Sequence, residues 1–216
     1  GTASQVEDAL VAETSKVTVS DAKVKITDTT GTLAATDLSA IGATTSGTVT
    51  MTGAAKISGN TSEVKAALVA TDSLVVTDET TSVSISNASS VADLNLIAAK
   101  VADGQLTGSV ASTALTDLSS LNTHATDIIT VAVSDTTGTL AATDISALGA
   151  KTAGTVTMAG AATISGNAEE VEDALVEAAS LIVAPNAVVT ITDTSGTLAA
   201  SDLSAIGAKT GGIVTM

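Results

Sequence analysis

The sequence predicts an α/β repeat solenoid, made of stacked coils of about 28 residues that each hold one short helix and one or two short parallel strands. Three observations predict this fold class: long segments recur, the 216 residues include no Phe, Tyr or Trp, and apolar residues alternate between helical and strand spacing. Hydrophobic residues still form 44% of the chain. A core without aromatic side chains must be thin and regular, and stacked short elements provide one.

The recurring segments define a long-range repeat. Residues 28–42, 135–149 and 193–207 read DTTGTLAATDLSAIG, DTTGTLAATDISALG and DTSGTLAASDLSAIG, at offsets of 107 and 58 positions. The segment ISGNTSEVKAALV at Ile57 recurs as ISGNAEEVEDALV at Ile164, and VEDALV occurs at both Val6 and Val171. The last pair is 165 positions apart, the sum of the two smaller offsets. We therefore expect about eight coils in one continuous segment, residues 1–216, forming a window of a longer array with a 165-residue repeat.

Eight stretches have the apolar spacing of short amphipathic helices. In residues 28–42, the first copy of the repeated segment, Ala34, Leu38 and Ile41 occupy positions i, i+4 and i+7, which places them on one face of a helix. Upstream Ser and Thr residues such as Ser62, Ser90 and Thr113 are candidate N-caps. The predicted helices cover residues 5–12, 34–41, 62–70, 91–100, 114–122, 141–148, 169–179 and 199–206.

Short β-branched runs lie between these helices. They alternate apolar residues with Thr, Ser or Lys, which is typical of a strand with one buried face. The predicted strands cover residues 17–20, 24–27, 49–51, 83–86, 129–133 and 188–192. Strands of neighbouring coils should pair in parallel, because every coil runs through the same path.

Composition excludes several classes of function. The formal net charge is −15, with 23 acidic and 8 basic residues, so the chain lacks the basic surface and stacking aromatics of nucleic-acid binding. No apolar run reaches the roughly 18 residues of a membrane span. The chain contains no Cys, and its single histidine, His124, has no defined nucleophile partner in the sequence. We therefore expect His124 to be an exposed loop residue, and we expect no enzyme activity.

The segments GTLAATDLSAIG, GTVTM and ISGNTSEVKAALV resemble the tandem repeats of giant cell-surface proteins of marine picocyanobacteria, including those required for swimming in some Synechococcus. The resemblance spans Val6 to Met216 and includes no catalytic motif. It implies a secreted or cell-surface structural module that forms a stalk, surface layer or filament. Its expected partners are neighbouring repeats, or copies of itself end to end, with possible contact to a cell surface or matrix.

Two binding functions are the alternatives. Asp28, Asp135 and Asp193 occupy equivalent turn positions and are candidate calcium ligands of a calcium-dependent adhesin, although calcium needs about six to eight oxygen ligands. Stabilisation of turns and helix ends is the other interpretation of these aspartates. The Thr-Val-Thr strands at Thr48 and Thr155 suggest ice binding, but other sequences interrupt the motif in the remaining coils. Apart from calcium, we expect no cofactor.

Overall fold

The computed structural model describes residues 1–70, 75–77, 80–101, 103–177, 180–195 and 197–216. The described residues form an α/β fold of short helices and parallel strands, and none of the sheets closes into a barrel. The chain divides into two compact units, Gly1–Ser109 and Val110–Met216. The expectation of one continuous segment over residues 1–216 stays a prediction.

The eight helices of the described residues are one or two turns long. They are α1 (Ala3–Leu10), α2 (Ala35–Gly42), α3 (Thr61–Leu68), α4 (Val91–Ala98), α5 (Leu115–Leu118), α6 (Ala142–Gly149), α7 (Ala168–Leu175) and α8 (Ala200–Gly207). All eight overlap predicted helices, and positions 178–179 of the predicted helix 169–179 lie outside the described residues. Six of them bury two or more residues on one face, as Leu38 and Ile41 of α2 show, whereas α1 and α8 bury only Ala3 and Ile206.

The strands are also short. They are β1 (Val24–Ile26), β2 (Thr32–Ala34), β3 (Val49–Met51), β4 (Lys56–Gly59), β5 (Val75–Val76), β6 (Val83–Ser89), β7 (Leu106–Val110), β8 (Ile128–Val133), β9 (Thr139–Ala141), β10 (Val156–Met158), β11 (Thr163–Gly166), β12 (Ile182–Val183), β13 (Val188–Ile191) and β14 (Val214–Thr215). In β8 buried and exposed residues alternate strictly, because successive side chains point to opposite faces of a strand.

In the first unit, strands pair in parallel in two sheets. One has the order β1-β3-β5, and in the other β2, β4 and β6 are successive neighbours. Val49 of β3 pairs with Val24 and Val75, and Ile57 of β4 pairs with Leu33 and Val83. Each strand thus pairs with the strand one segment further along the chain, at the spacing expected of a short repeat.

The second unit repeats this arrangement. Strands β8, β10 and β12 are successive neighbours, and the other sheet has the order β9-β11-β13-β14. Val156 of β10 pairs with Val131 and Ile182, while Ile164 of β11 pairs with Leu140 and Val189. The spacing of paired strands along the chain is the same as in the first unit. The core of each unit consists of aliphatic side chains on the inner faces of strands and helices.

Several local predictions were wrong. Residues 17–20 form no strand, and Val17 is exposed, because no neighbouring strand pairs with this stretch. Of the proposed N-caps, Ser90 does cap α4, but α3 is capped by Asn60 instead of Ser62, and Ala114 instead of Thr113 precedes α5. The coil length of about 28 residues stays a prediction; paired strands lie 24 to 26 residues apart along the chain.

Candidate functional site: bonds between neighbouring segments

The three equivalent aspartates bond to helix N-termini one segment earlier in the chain. Each side chain accepts a hydrogen bond through Oδ2 from the first backbone N–H of a helix, at 2.7 Å in all three cases. The pairs are Asp28 with Ala3 of α1, Asp135 with Leu115 of α5, and Asp193 with Ala168 of α7. Donor and acceptor lie 25, 20 and 25 residues apart. A carboxylate here satisfies a free N–H and faces the positive end of the helix dipole.

Asn87 makes the corresponding bond in a segment without the DTTG motif. Its Oδ1 accepts from the backbone N–H of Thr61, the first residue of α3, at 2.7 Å, and from the Thr61 hydroxyl at 2.9 Å. The buried Thr61 hydroxyl also lies 2.6 Å from the hydroxyl of Ser89. Sequence reasoning missed Asn87, because its segment does not repeat the aspartate motif.

A threonine that is buried (Thr45, Thr152) or half-buried (Thr210) forms a second kind of bond between segments, which the sequence analysis also missed. The side-chain hydroxyl donates to a carbonyl oxygen 23 residues earlier, and it accepts from the N–H two residues later. The pairs are Thr45 with Ala22, Thr152 with Ile129, and Thr210 with Ala187. These threonines belong to a Thr-x-Gly motif that recurs at the offsets of 107 and 58, which is the signal that could have identified them.

The glycine of each Thr-x-Gly motif lies directly against the preceding segment. A Cβ atom at Gly47, Gly154 or Gly212 would lie 2.1 to 2.3 Å from a carbonyl oxygen of that segment. Real Cβ atoms do not approach an oxygen so closely, so only glycine fits. Threonine and glycine together fix how closely successive segments approach; we call the two residues the Thr-x-Gly contact.

One ion pair also joins neighbouring segments. Lys65 Nζ of α3 lies 2.5 Å from Asp93 Oδ1 of α4, and both side chains are about one third exposed. The hydrogen bond from Lys65, helped by one from Ser90, lowers the pKa of Asp93 below its ordinary value, and partial burial opposes this shift.

The calcium prediction is not tested by these observations. Asp28, Asp135 and Asp193 each direct one carboxylate oxygen to a helix N-terminus. Within the described ranges, no group of three or more His, Cys, Asp or Glu side chains could hold one metal ion. Stabilisation of a helix N-terminus explains why an aspartate recurs at these three positions.

His124 lies in the turn before β8 and contacts Asp127. Its side chain is 60% exposed, and its Nδ1 lies 3.7 Å from Oδ2 of the buried Asp127. The same Oδ2 accepts from the His124 backbone N–H at 2.8 Å. Asp127 therefore holds the turn, and the histidine ring points into solvent.

The threonines in the middle of β3 and β10 do not form threonine ladders with the neighbouring strands. Thr50 of β3 pairs with Lys25 and Val76, and Thr157 of β10 pairs with Ala132 and Val183. Each of these threonines thus lies between two partners that are not threonine, in agreement with the interrupted motif of the sequence.

No helix in the described part of the chain is long and apolar enough to cross a membrane. The chain matches no protein-family model, and no curated protein or solved structure is significantly similar to it. Function is therefore inferred from the bonds between segments.

Proposed function

We propose that this chain is a non-catalytic structural repeat module of a secreted or cell-surface protein, in which each unit is a stretch of α/β solenoid. The parent protein would form a stalk, a surface layer or an extracellular filament. One observation carries the proposal: the polar side chains that recur along the sequence bond one segment to the next. Asp135 and Thr152 illustrate this, since each reaches a backbone group at least 20 residues away.

The parallel pairing of each strand with the strand one segment further along supports the same proposal. In a solenoid, each coil contacts its neighbours, and the coil interfaces supply much of the stability. A net charge of −15 would keep such an assembly soluble and would oppose nonspecific association.

An in-phase deletion tests the solenoid. Residues 135 and 193 begin equivalent segments, so removal of residues 135–192 joins Ser134 to Asp193 and preserves the order of strands and helices. We expect this variant to keep the far-UV circular dichroism of a folded α/β protein and a cooperative urea transition. The matched control removes residues 135–185, which joins Ser134 to Asn186 out of phase and should unfold much of the second unit. An unfolded in-phase variant, or equal stability of both variants, would contradict the proposal.

The cellular role has a separate test. Antibodies raised against the chain should label the surface of intact source cells, or the extracellular fraction, without permeabilisation. Labelling only after permeabilisation would contradict a secreted or surface role and would leave the solenoid test unaffected.

A further inference from the structure

The outer surface of strands β8, β10 and β12 in the second unit is neutral. Val156 pairs with both Val131 and Ile182, so the outward side chains of the three strands form two rows across the sheet. We call this surface the β8–β10–β12 face, and its two rows are Thr130, Thr155, Leu181 and Ala132, Thr157, Val183. Among the residues that the structure describes, these outward positions carry no charged side chain.

Large aliphatic side chains are exposed on this face. Leu181 and Val183 are 39% and 46% exposed. Ile128 begins β8, lies on the same side of the strand as Thr130 and Ala132, and is 40% exposed. A single exposed aliphatic residue is ordinary on a protein surface, whereas a group of them on one neutral surface is typical of an interaction site.

The equivalent face of the first unit is basic. At the offset of 107 positions, Thr130 and Ala132 correspond to Lys23 and Lys25, and both lysines are exposed. Strand β1 pairs with β3 in the same register as β8 with β10. The two faces therefore share a backbone arrangement and differ in charge, which gives a control within the same chain.

Charge decides which partner fits the β8–β10–β12 face. The chain has a net charge of −15, so two copies repel each other wherever their acidic surfaces approach. At this face the outward side chains are neutral, and two copies meet there without placing carboxylates against each other. A strongly charged partner finds no opposite charge on the face with which to pair. A second copy of the same neutral sheet matches it in shape and polarity.

We propose that the β8–β10–β12 faces of two repeat modules pack against each other about a twofold axis. In such a contact the same surface of both copies is used, and the central strand β10 lies nearest the axis. The inference deepens the proposed function and rests on it, because the partner is a second repeat module. The contact would join two stalks or filaments side by side.

Analytical ultracentrifugation of the full chain tests for this association. The face is small, so we expect a monomer–dimer equilibrium with a dissociation constant of about 0.1–1 mM. Salt screens the repulsion between two acidic chains and leaves a neutral contact intact. Raising NaCl from about 50 mM to about 500 mM should therefore strengthen association, whereas it would weaken a contact made by ion pairs.

Two double variants locate the contact. Thr130→Lys with Ala132→Lys gives the face the residues that the first unit carries at these positions, so the fold should tolerate them. We expect association to fall at least about tenfold, because lysines of both copies would be brought together and desolvated. Thr143→Lys with Ala147→Lys adds the same charge at exposed positions of α6. This control should strengthen association slightly, since it lowers the net negative charge.

Single cysteines report the geometry of the contact, because the chain contains no Cys. Thr157→Cys places a thiol on the central strand of the β8–β10–β12 face, and Thr50→Cys places one at the equivalent half-buried position of the first unit. A short bis-maleimide should cross-link the Thr157→Cys chain into dimers in severalfold higher yield than the Thr50→Cys chain, since facing sheets lie only about 10 Å apart. Circular dichroism checks that both variants are folded.

Three results would overturn the inference. The first is a chain that stays monomeric up to about 1 mM in high salt. The second is association that the α6 control weakens as much as the Thr130→Lys, Ala132→Lys variant does, and the third is equal cross-linking of the two cysteine variants. A monomeric chain together with a folded in-phase deletion would remove this inference alone. An unfolded in-phase deletion would instead contradict the solenoid itself.

Discussion

At the scale of single residues, the aspartates that follow β1, β8 and β13 each stabilise a helix of the preceding segment. Asp135 is the clearest case for a test, because α5 has no side-chain N-cap of its own. Replacement by Ala leaves the Leu115 N–H without its acceptor. We expect Asp135→Ala to lower the free energy of unfolding by about 1 kcal/mol, measured by urea denaturation with circular dichroism detection.

Two control variants separate this bond from the loss of a charge. Asp135→Asn retains an acceptor oxygen and should recover most of the loss. Asp173→Ala removes an exposed carboxylate within α7 and should change stability by less than about 0.5 kcal/mol. Equal destabilisation by Asp135→Ala and Asp135→Asn would show that the hydrogen bond has no role.

The Lys65–Asp93 pair gives a pH-dependent prediction. The lowered pKa of Asp93 means that the pair stabilises the fold above the ordinary value of 3.8 and loses this effect as pH falls through the lower pKa of the folded state. We expect Lys65→Met to cost about 0.5 kcal/mol at pH 7, since the pair is partly exposed, and less at pH 2, where protonation of Asp93 is favoured. In the Asp93→Asn background, Lys65→Met should have no effect at either pH.

At the scale of elements, periodicity predicted the helices of the described residues and five of the six strand ranges that it named, because most of these elements bury aliphatic side chains on one face. Other short strands, such as β4 and β11, were not among the named ranges. Residues 49–51 form β3 as predicted. Residues 17–20 have the same alternation and form no strand, since alternation does not reveal whether a neighbour is present. The Thr-Leu-Ala sequence likewise does not determine a strand by itself, because it forms strands at β2 and β9 and none at residues 197–199.

The Thr-x-Gly contact predicts a strong effect of a single methyl group. A Cβ at Gly154 would lie 2.3 Å from the Ile129 carbonyl oxygen, so Gly154→Ala must separate the two segments. We expect a loss of about 2–4 kcal/mol in the free energy of unfolding. Gly207→Ala is the control, because a Cβ there meets nothing within 4 Å and Ala favours the helix; it should be neutral or slightly stabilising.

A second variant isolates the hydroxyl. Thr152→Val keeps the shape of the side chain but leaves the Gly154 N–H without its acceptor, and it should cost about 1–3 kcal/mol. Thr152→Ser retains the hydroxyl and should cost less. If Gly154→Ala proves harmless, the close approach of the segments does not constrain this position.

At the scale of the whole molecule, the repeat offsets led to the candidate aspartates but not to their partners. The sequence shows that Asp28, Asp135 and Asp193 are equivalent, and it leaves open whether their carboxylates face a cation or a backbone N–H. Strand register decides which groups of neighbouring segments meet, and register depends on packing. Asn87 was missed for the same reason, because only the fold shows that it bonds at a helix start as the aspartates do.

The net charge of −15 and the bonded aspartates together make the ionic response of the protein a test of the calcium alternative. Mutual repulsion destabilises the fold at low salt, and raising NaCl from 10 mM to 200 mM shortens the screening length from about 30 Å to roughly 7 Å. We expect the melting temperature to rise by about 2–5 °C. Because Asp28, Asp135 and Asp193 already accept helix N–H bonds, CaCl₂ and MgCl₂ at matched ionic strength should give equal melting temperatures. A rise specific to calcium that EDTA reverses, and that Asp135→Asn reduces, would instead establish the carboxylates as calcium ligands.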